Sequence, residues 1–328
     1  MIKKIILIIL IVVIAIFLFF FVGKGKERKD AVFGVTFSIR HSKNLGLDYK
    51  KVYLSILDDL KVRNLRIVVP WDEIEEKEGK YSFGILDWEI NEAENRGAKV
   101  TLAIGMKVPR WPECFIPSFA LTKTKEEQQR MILNLIREIV LRYKENKTVS
   151  SFQIENEPFF SFGNCPWYDK NFLKNEVKLA KRLDISKRKV IITDSGEWSL
   201  WFIAARIGDI VGISLYRETY MDKIGYYFYS YFPPVFYRRK AQLINLLFRK
   251  EVIVSELQAE PWGNSLLYDL PLEKQKELMN KDIFRKNIEF ARMTGLKEFY
   301  LWGVEWWYKM KEDQKDSSMW NEAKTLWQ

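Results

Sequence analysis

Residues 149–158, VSSFQIENEP, contain an apolar run that is followed at once by a cluster of polar and acidic side chains. Amphipathic helical patterns flank this run, at residues 125–145 before it and at 169–183 after it. An apolar run between two helices is typical of a β–α unit, in which helices cover a strand that lies parallel to its neighbours. We therefore predict a strand at 149–154 and an α/β fold.

The same unit recurs along the chain. Strands are predicted at 33–38, 65–69, 99–104, 149–154, 190–193, 210–215, 252–255 and 298–301, and the helices that follow them at 49–60, 84–95, 125–145, 169–183, 200–207, 237–249, 272–293 and 317–327. Eight such units predict a closed (β/α)8, or TIM, barrel. The alternative is a doubly wound open sheet, whose nucleotide-binding form needs a glycine-rich turn that does not follow the first strand, FGVTFS.

The first thirty residues have a different character. Ile5 to Val22 is an uninterrupted apolar run of 18 residues, and as a helix it would extend about 27 Å, close to the roughly 30 Å core of a bilayer. No small-residue cleavage pattern follows the run, which favours an uncleaved signal-anchor over a removed signal peptide. We therefore predict a membrane anchor with a basic juxtamembrane segment at 1–30 and the barrel domain at 31–328.

The composition excludes several classes of function. The chain of 328 residues is 48% hydrophobic and 29% charged, a globular balance, and it contains two cysteines and one histidine. A four-ligand Cys/His zinc site cannot be built from these residues, and neither a metal nor an organic cofactor is expected. Of the net charge of +10, residues 31–328 carry +6, on basic residues scattered among acidic ones. It is interpreted as solvated surface on a monomer, with an anionic polymer as the weaker alternative and no nucleic-acid partner.

Two carboxylates are placed where a barrel carries its chemistry. Catalytic residues of TIM barrels follow the carboxyl ends of the strands, and here Glu157 follows the fourth strand while Glu256 follows the seventh. These strands face each other across the barrel mouth. Retaining glycoside hydrolysis needs two carboxyl groups about 5 Å apart, one to protonate the leaving oxygen and one to attack the anomeric carbon.

The segment Asn156-Glu157-Pro158 resembles the Asn-Glu-Pro signature of clan A glycoside hydrolases, the superfamily of cellulases, β-mannanases and β-galactosidases. The resemblance implies that Glu157 is the general acid/base and that Asn156 holds the sugar 2-hydroxyl. It also implies that Glu256, in the segment Val-Ser-Glu at the end of the seventh strand, is the nucleophile.

Further positions agree with the same clan. Arg66 resembles the second-strand arginine that hydrogen-bonds the nucleophile, and Tyr216 resembles the sixth-strand tyrosine with a similar role. Trp302 resembles the eighth-strand tryptophan that forms the floor of the sugar subsite. Trp71 begins a stretch, WDEIEEKEGKYSF, that looks like the segment after the second strand of β-galactosidase-type enzymes.

For other residues near the strand ends, the sequence allows more than one role. Trp262 is one of several tryptophans on the predicted catalytic side, and indole rings stack on sugar faces. His41 could line the subsite or be structural, and Glu305 could contact substrate or form a buried ion pair. Glu260 is an alternative nucleophile, whereas Glu155 points to the other side of its strand and is expected to be a structural partner.

These features predict a retaining β-glycoside hydrolase that acts on an oligo- or polysaccharide by double displacement. The alternatives are a transglycosylase with the same two glutamates, a catalytically silent glycan-binding barrel, and a membrane-anchored interaction protein with a large exposed apolar patch. Cys114 and Cys165 lie in the neighbouring loops after strands three and four. Lysines flank the anchor on both sides, so the charge pattern does not orient it, but the catalytic domain is predicted to be extracytoplasmic because polymer-degrading enzymes of this clan are mostly exported. A disulfide between the two cysteines is then expected, and two unpaired thiols are the alternative.

Overall fold

The structure, a computed structural model, describes residues 2–328 and contains a closed barrel of parallel strands. The barrel strands are β1 (Val32–Phe37), β2 (Asn64–Val68), β3 (Lys99–Ile104), β4 (Val149–Ile154), β5 (Lys189–Asp194), β6 (Ile210–Leu215), β9 (Glu251–Gln258) and β10 (Glu298–Trp302). They follow one another around the barrel in chain order, and β10 closes it by pairing in parallel with β1. The predicted TIM barrel is confirmed.

The structure contains helices that surround the barrel, together with α1, which lies ahead of the first strand. They are α1 (Ile2–Phe21), α2 (Ile39–Asn44), α3 (Tyr49–Asp58), α4 (Trp71–Ile74), α5 (Gly84–Asn95), α6 (Lys125–Tyr143), α7 (Lys170–Leu183), α8 (Phe202–Ile207), α9 (Pro234–Phe248), α10 (Leu272–Leu278), α11 (Lys281–Met293), α12 (Val304–Glu312) and α13 (Ser318–Lys324). Several begin at side chains that accept hydrogen bonds from the first turn, such as Asp48, Asp169 and the capping box of Thr124 with Glu127.

Successive side chains of a barrel strand point alternately toward the surrounding helices and into the barrel, so the protein has two buried layers. Phe152 and Ile154 of β4 belong to the main core between strands and helices, whereas Gln153 between them faces the barrel interior. A second buried cluster, Ile191, Ile210, Ile253 and Tyr300, is distinct from the main core. Polar side chains such as Arg66 and Gln153 lie inside the barrel toward the carboxyl ends of the strands, so the fold concentrates buried polar groups at the mouth.

The structure corrects several predicted boundaries. The helix predicted at 272–293 is broken into α10 and α11, because the Asn280 side chain accepts hydrogen bonds from Asp282 N and Ile283 N and starts a new helix. The seventh barrel strand is longer than predicted, so Glu256 lies within β9 rather than after it. A hairpin of β7 (Glu218–Met221) and β8 (Gly225–Phe228), which the sequence analysis did not predict, follows β6.

The N-terminal helix stands away from the barrel. Its 18-residue apolar window has a mean hydropathy of 3.4 and none of it is buried, and the helix is long enough to cross a membrane. Only its last turn contacts the barrel domain, where Phe20 and Phe21 pack against Phe236 of α9. One apolar helix near the N-terminus could be either a membrane anchor or a signal sequence.

Candidate active site

The end of β4 turns sharply to present three side chains in different directions. Glu155 and Glu157 both have left-handed backbones, with φ of 57° and 40°, a region that non-glycine residues rarely adopt. Glu155 turns away from the mouth and accepts hydrogen bonds of 2.7 Å from the backbone N–H groups of Met106 and Lys107. Such strain persists only where surrounding contacts enforce it, and it is common at functional sites.

Glu256 is held by two donors inside the mouth. The Arg66 guanidinium donates to its Oε1 from both Nη1 and Nη2 at 3.2 Å, and the Tyr216 hydroxyl donates to Oε2 at 3.0 Å. All three side chains are buried. Both carboxylate oxygens are therefore partnered by buried donors.

Arg66 also connects Glu256 to the end of β4. Its Nε donates to Gln153 Oε1 at 2.7 Å, and its Nη2 donates to Asn156 Oδ1 at 2.9 Å. Asn156 is itself almost fully buried. A single guanidinium thus fixes the relative positions of the Asn156 amide and the Glu256 carboxylate across the mouth.

Glu157 has a contrasting environment. Ser214 Oγ donates to its Oε1 at 2.5 Å, and the backbone of Ser214 is in register with that of Glu256 in the ladder between β6 and β9. Burial, followed by the charge of Glu256, raises the pKa of Glu157 to about 7, although the hydrogen bond from Ser214 opposes the rise. Glu157 therefore holds a proton in neutral solution far more often than an ordinary glutamate.

A buried charge cluster crosses the mouth beside Trp302. Arg110, from the loop after β3, places its guanidinium 4.0 Å from the centre of the Trp302 ring and pairs with Glu260 after β9 and Glu305 after β10. Glu305 is fully buried and also accepts a hydrogen bond of 2.7 Å from Ser38 N. Glu305 therefore forms the buried ion pair that was the alternative to substrate contact, with Arg110 as its partner.

His41 completes this cluster. Its Nε2 lies 3.6 Å from Glu260 Oε2, and neither atom has a hydrogen-bond partner within residues 2–328. Arg110 and His41 lower the pKa of Glu260 to about 2 against the effect of burial. Ligand atoms of His41, Glu260 and Glu305 lie close enough to share a cation, within 4.8 Å, and here the Arg110 guanidinium already supplies the positive charge.

Comparisons with solved structures find the same barrel in carbohydrate-active enzymes. A GH5_18 variant from Bifidobacterium longum subsp. longum, crystallised with Manβ1-4GlcNAc, matches with a TM-score of 0.58 and 12% identity over 83% of this chain and 68% of that chain. Xylanase 10B from Thermotoga petrophila, crystallised with xylobiose, matches with a TM-score of 0.52 and 15% identity over 83% and 82%. A β-galactosidase from Marinomonas ef1 matches with a TM-score of 0.56 and 13% identity over 90% and 59%.

All three are clan A glycoside hydrolases with an eight-stranded parallel barrel. The chain has the fold of these glycoside hydrolase barrels. No family model matches the sequence, and no curated protein matches it either. At 12–15% identity the similarity establishes the fold, and the geometry of the site must carry any statement about function.

The remaining tryptophans of the predicted set are placed differently. Trp262 is half-buried, contacts Tyr216 edge-on with ring centres 5.0 Å apart, and so lies beside the Glu256 pocket. Trp302 is almost fully buried beneath Arg110. Trp71 is completely buried and donates from Nε1 to Glu75 at 2.8 Å, so it belongs to the core and not to the proposed substrate-binding set.

The loop after β3 contributes an acid that the sequence analysis did not identify. Glu113 lies with its carboxylate oxygens 3.3 and 3.4 Å from Asn156 Nδ2 and 3.6 Å from Lys107 Nζ. Burial, together with the charges of Glu256 and Glu157, raises the pKa of Glu113 to about 8 despite Lys107. The only sequence signal for it was its position in a strand-end loop, since loop geometry cannot be read from residue spacing.

A disulfide stabilises this side of the mouth. Cys114, which follows Glu113, is bonded to Cys165 in the loop after β4 with an S–S distance of 2.04 Å, so the expected pairing is confirmed. The bond connects the loop that carries Glu113 to the loop that follows Glu157. The two strand-end loops therefore cannot move apart independently.

Proposed function

We propose that this protein is a retaining β-glycoside hydrolase in which Glu256 is the nucleophile and Glu157 is the general acid/base. The observation that carries the proposal is the opposite environments of the two acids. Arg66 and Tyr216 donate to both oxygens of Glu256, whereas burial and the neighbouring charge raise the pKa of Glu157 to about 7. A carboxyl group held by two donors, beside a second one whose pKa is raised, is the arrangement that glycoside hydrolysis requires.

The roles follow from these contacts. Glu256 attacks the anomeric carbon while Glu157 gives its proton to the departing glycosidic oxygen, which leaves a glycosyl ester on Glu256. The ester removes the negative charge of Glu256, so the pKa of Glu157 falls. Glu157 then accepts a proton from the attacking water, and cleavage of the ester regenerates the Glu256 carboxylate.

The proposed substrate is a β-linked oligo- or polysaccharide. Two structural neighbours hold a β-linked disaccharide or xylobiose, and this mouth carries Trp262 beside Tyr216 for contact with a sugar ring. We expect Asn156, whose Oδ1 accepts a hydrogen bond from Arg66, to hold the sugar 2-hydroxyl next to Glu256. His41 and Trp302 belong to the proposed binding set on the opposite side of the mouth.

Azide rescue of two variants tests these roles. Aryl β-glycosides with good leaving groups are screened first on the wild-type protein. Glu256→Ala should be inactive and should form the α-glycosyl azide with added azide, because a single displacement inverts the anomeric centre. Glu157→Ala should form the β-glycosyl azide, because azide intercepts an ester that already formed by inversion.

Glu260→Gln is the matched control, since Glu260 was the alternative nucleophile and lies in the same mouth. It should retain turnover without azide. The assignment is wrong if Glu256→Ala keeps its activity, or if Glu260→Gln is the variant that azide rescues. Wild-type protein that binds glycans but cleaves none of them would support the silent glycan-binding barrel instead.

We also propose that α1 is an uncleaved membrane anchor. Its apolar window is entirely exposed, a surface that water does not stabilise. Alkaline carbonate should leave the expressed chain in the membrane fraction, and its intact mass should include residues 1–30. A chain found in the soluble fraction, with its N-terminus beyond residue 22, would show that the segment is a cleaved signal peptide.

A further inference from the structure

An exposed apolar stripe runs along the outer face of α9. Leu246 and Leu247 are 65% and 54% exposed, and Leu243 above them is half-buried. These residues recur at three- and four-residue spacing and therefore share one side of the helix. We refer to Leu243, Leu246 and Leu247 as the α9 stripe.

The α9 stripe continues the surface that contacts α1. Arg239, one turn before Leu243, donates from Nη1 to Leu18 O at 3.3 Å and covers the Phe19 ring at 4.9 Å. Phe21, at the end of α1, contacts Phe236 in the first turn of α9, with ring centres 5.1 Å apart. Following α1 from residue 21 back to residue 18 therefore leads along α9 from Phe236 to Arg239, in the direction of the stripe.

The connection between α1 and the barrel is not a loose tether. The backbone N–H of Lys26 donates to Met293 O at 2.9 Å, and that of Arg28 donates to Arg292 O at 3.0 Å. Gly25 packs so closely against Met293 O that a Cβ would lie 2.5 Å from it. The direction in which α1 leaves the domain is therefore fixed relative to α9.

The charges of α9 suit an anionic surface. The helix contains no acidic residue, and Arg239, Arg249 and Lys250 border the stripe. An apolar stripe flanked by arginine and lysine is typical of helices that lie in the interfacial layer of a membrane, with leucine toward the acyl chains and the cations toward phosphate groups.

From these contacts we propose that the α9 stripe rests in the interfacial layer of the membrane that α1 enters. The inference depends on the proposed anchor. If the exposed apolar residues of α1 lie in a membrane, that membrane begins close to the point where α1 contacts α9, one turn before the stripe. α9 begins near the mouth and ends at the opposite end of the barrel, as each helix does after its strand. The domain is therefore held by one side, and the mouth opens to water rather than to lipid.

Lipid quenching of a fluorescent probe tests this arrangement. The full chain carrying Leu246→Cys is labelled with an environment-sensitive dye and reconstituted in nanodiscs of phosphatidylcholine and phosphatidylglycerol. Both native cysteines are in the disulfide, so the introduced thiol is the site that reacts. Lipids with spin labels near the headgroup should quench the dye at least about twofold, as expected for a side chain at interfacial depth.

Leu121→Cys is the matched control. Leu121 is 63% exposed, nearly as much as Leu246, but it lies in the loop after β3 on the mouth side. Its dye should show water-like emission and no lipid quenching. Equal quenching at the two positions, or none at Leu246, would overturn the proposal, and a blue-shifted but unquenched Leu246 dye would indicate a protein partner on the stripe.

The experiment distinguishes an error in the proposed membrane anchor from an error in the proposed position of the α9 stripe. A chain that does not co-purify with nanodiscs at all contradicts the anchor, and the stripe with it. A chain that co-purifies while the Leu246 dye remains in water contradicts the stripe alone. Unchanged unfolding midpoints for both labelled variants ensure that the probes report on the native fold.

Discussion

The hydrogen bond between Ser214 and Glu157 sets the proton affinity of the proposed acid. Ser214 donates to the carboxylate, which lowers the pKa of Glu157 from the still higher value that burial and Glu256 would produce. Ser214→Ala should therefore raise that pKa. Because Glu157 must be protonated for the first step, the alkaline limb of kcat/KM should move from near pH 7 to higher pH, by up to about 1 unit.

The control for this prediction is Ser151→Ala. Ser151 is also buried inside the barrel, but its hydroxyl lies 2.7 Å from Thr101 and does not contact Glu157. It should leave the position of the alkaline limb unchanged. An unchanged limb in Ser214→Ala, or equal shifts in both variants, would mean that another group controls the alkaline side.

Glu113 allows a second prediction about a single residue. Burial raises its pKa to about 8, so the folded protein binds a proton there between about pH 4.5 and 8 that the unfolded chain releases. The wild-type protein should therefore lose stability as the pH rises through that window. Glu113→Gln, which mimics the protonated acid, should lose less stability between pH 5 and 8.5 in urea unfolding.

The same variant separates a structural role from a charged one. If Glu113 is neutral when the enzyme works, Glu113→Gln should keep the hydrogen bond with Asn156 and change turnover at pH 6.5 by less than about threefold. A loss of several hundredfold would show that the site needs the negative charge of Glu113. Equal pH dependence of stability in both proteins would contradict the raised pKa.

Among the elements, the loops around the mouth depend on one another through Arg110. The loop after β3 reaches across to the loops after β9 and β10, and its arginine is the positive partner of two buried carboxylates. Arg110→Met should leave Glu260 and Glu305 uncompensated and reduce the free energy of unfolding by about 3–5 kcal/mol at pH 7. Denaturant unfolding measures the loss.

Two further variants make this prediction specific. Arg285→Met removes an exposed arginine that pairs with Glu322, and it should reduce the free energy of unfolding far less than Arg110→Met does. Adding Glu260→Gln and Glu305→Gln to Arg110→Met should restore part of the stability, because no buried charge then lacks a partner. A loss below about 1 kcal/mol for Arg110→Met alone would contradict the buried cluster.

Elements with a regular apolar repeat could be predicted from the sequence. Elements that depend on one capping side chain or on one turn could not. All eight barrel strands were found because their apolar runs recur between helices. The break between α10 and α11 was missed because the apolar periodicity continues through Asn280, whose side chain nevertheless starts a new helix. The β7–β8 hairpin was missed although Gly225, with φ of 86°, marks its turn.

Part of the site was also predictable from the strand ends. Glu157, Glu256, Arg66 and Tyr216 could be expected to meet because parallel strands converge at one end of a barrel. Glu113 and Arg110 could not, since both lie in a loop whose backbone is left-handed at each of them, with φ of 71° and 87°. Trp71 was assigned to the substrate-binding set from the segment that it begins, which indicates a place along the chain but does not show that the side chain is buried.

On the scale of the whole molecule, the disulfide and the proposed anchor together predict the side of the membrane on which the barrel domain lies. Stable disulfides belong to oxidising compartments, and Cys114–Cys165 connects two loops of the proposed active site. Since α1 precedes the barrel domain, an anchored chain that forms this disulfide would have the residues after 22 outside the cytosol. We therefore predict that the catalytic domain lies on the extracytoplasmic side.

Peptide mapping of the protein from native membranes tests this location. Thiols are blocked with an alkylating reagent before lysis, and the chain is then digested without reductant. A crosslinked Cys114–Cys165 peptide is expected, and protease added to intact cells should cut the barrel domain. Two alkylated thiols together with a protected domain would place the barrel domain in the cytosol.

Reduction of the disulfide should also lower the free energy of unfolding of the purified protein by up to about 4 kcal/mol, because the bond closes a loop between residues 51 positions apart.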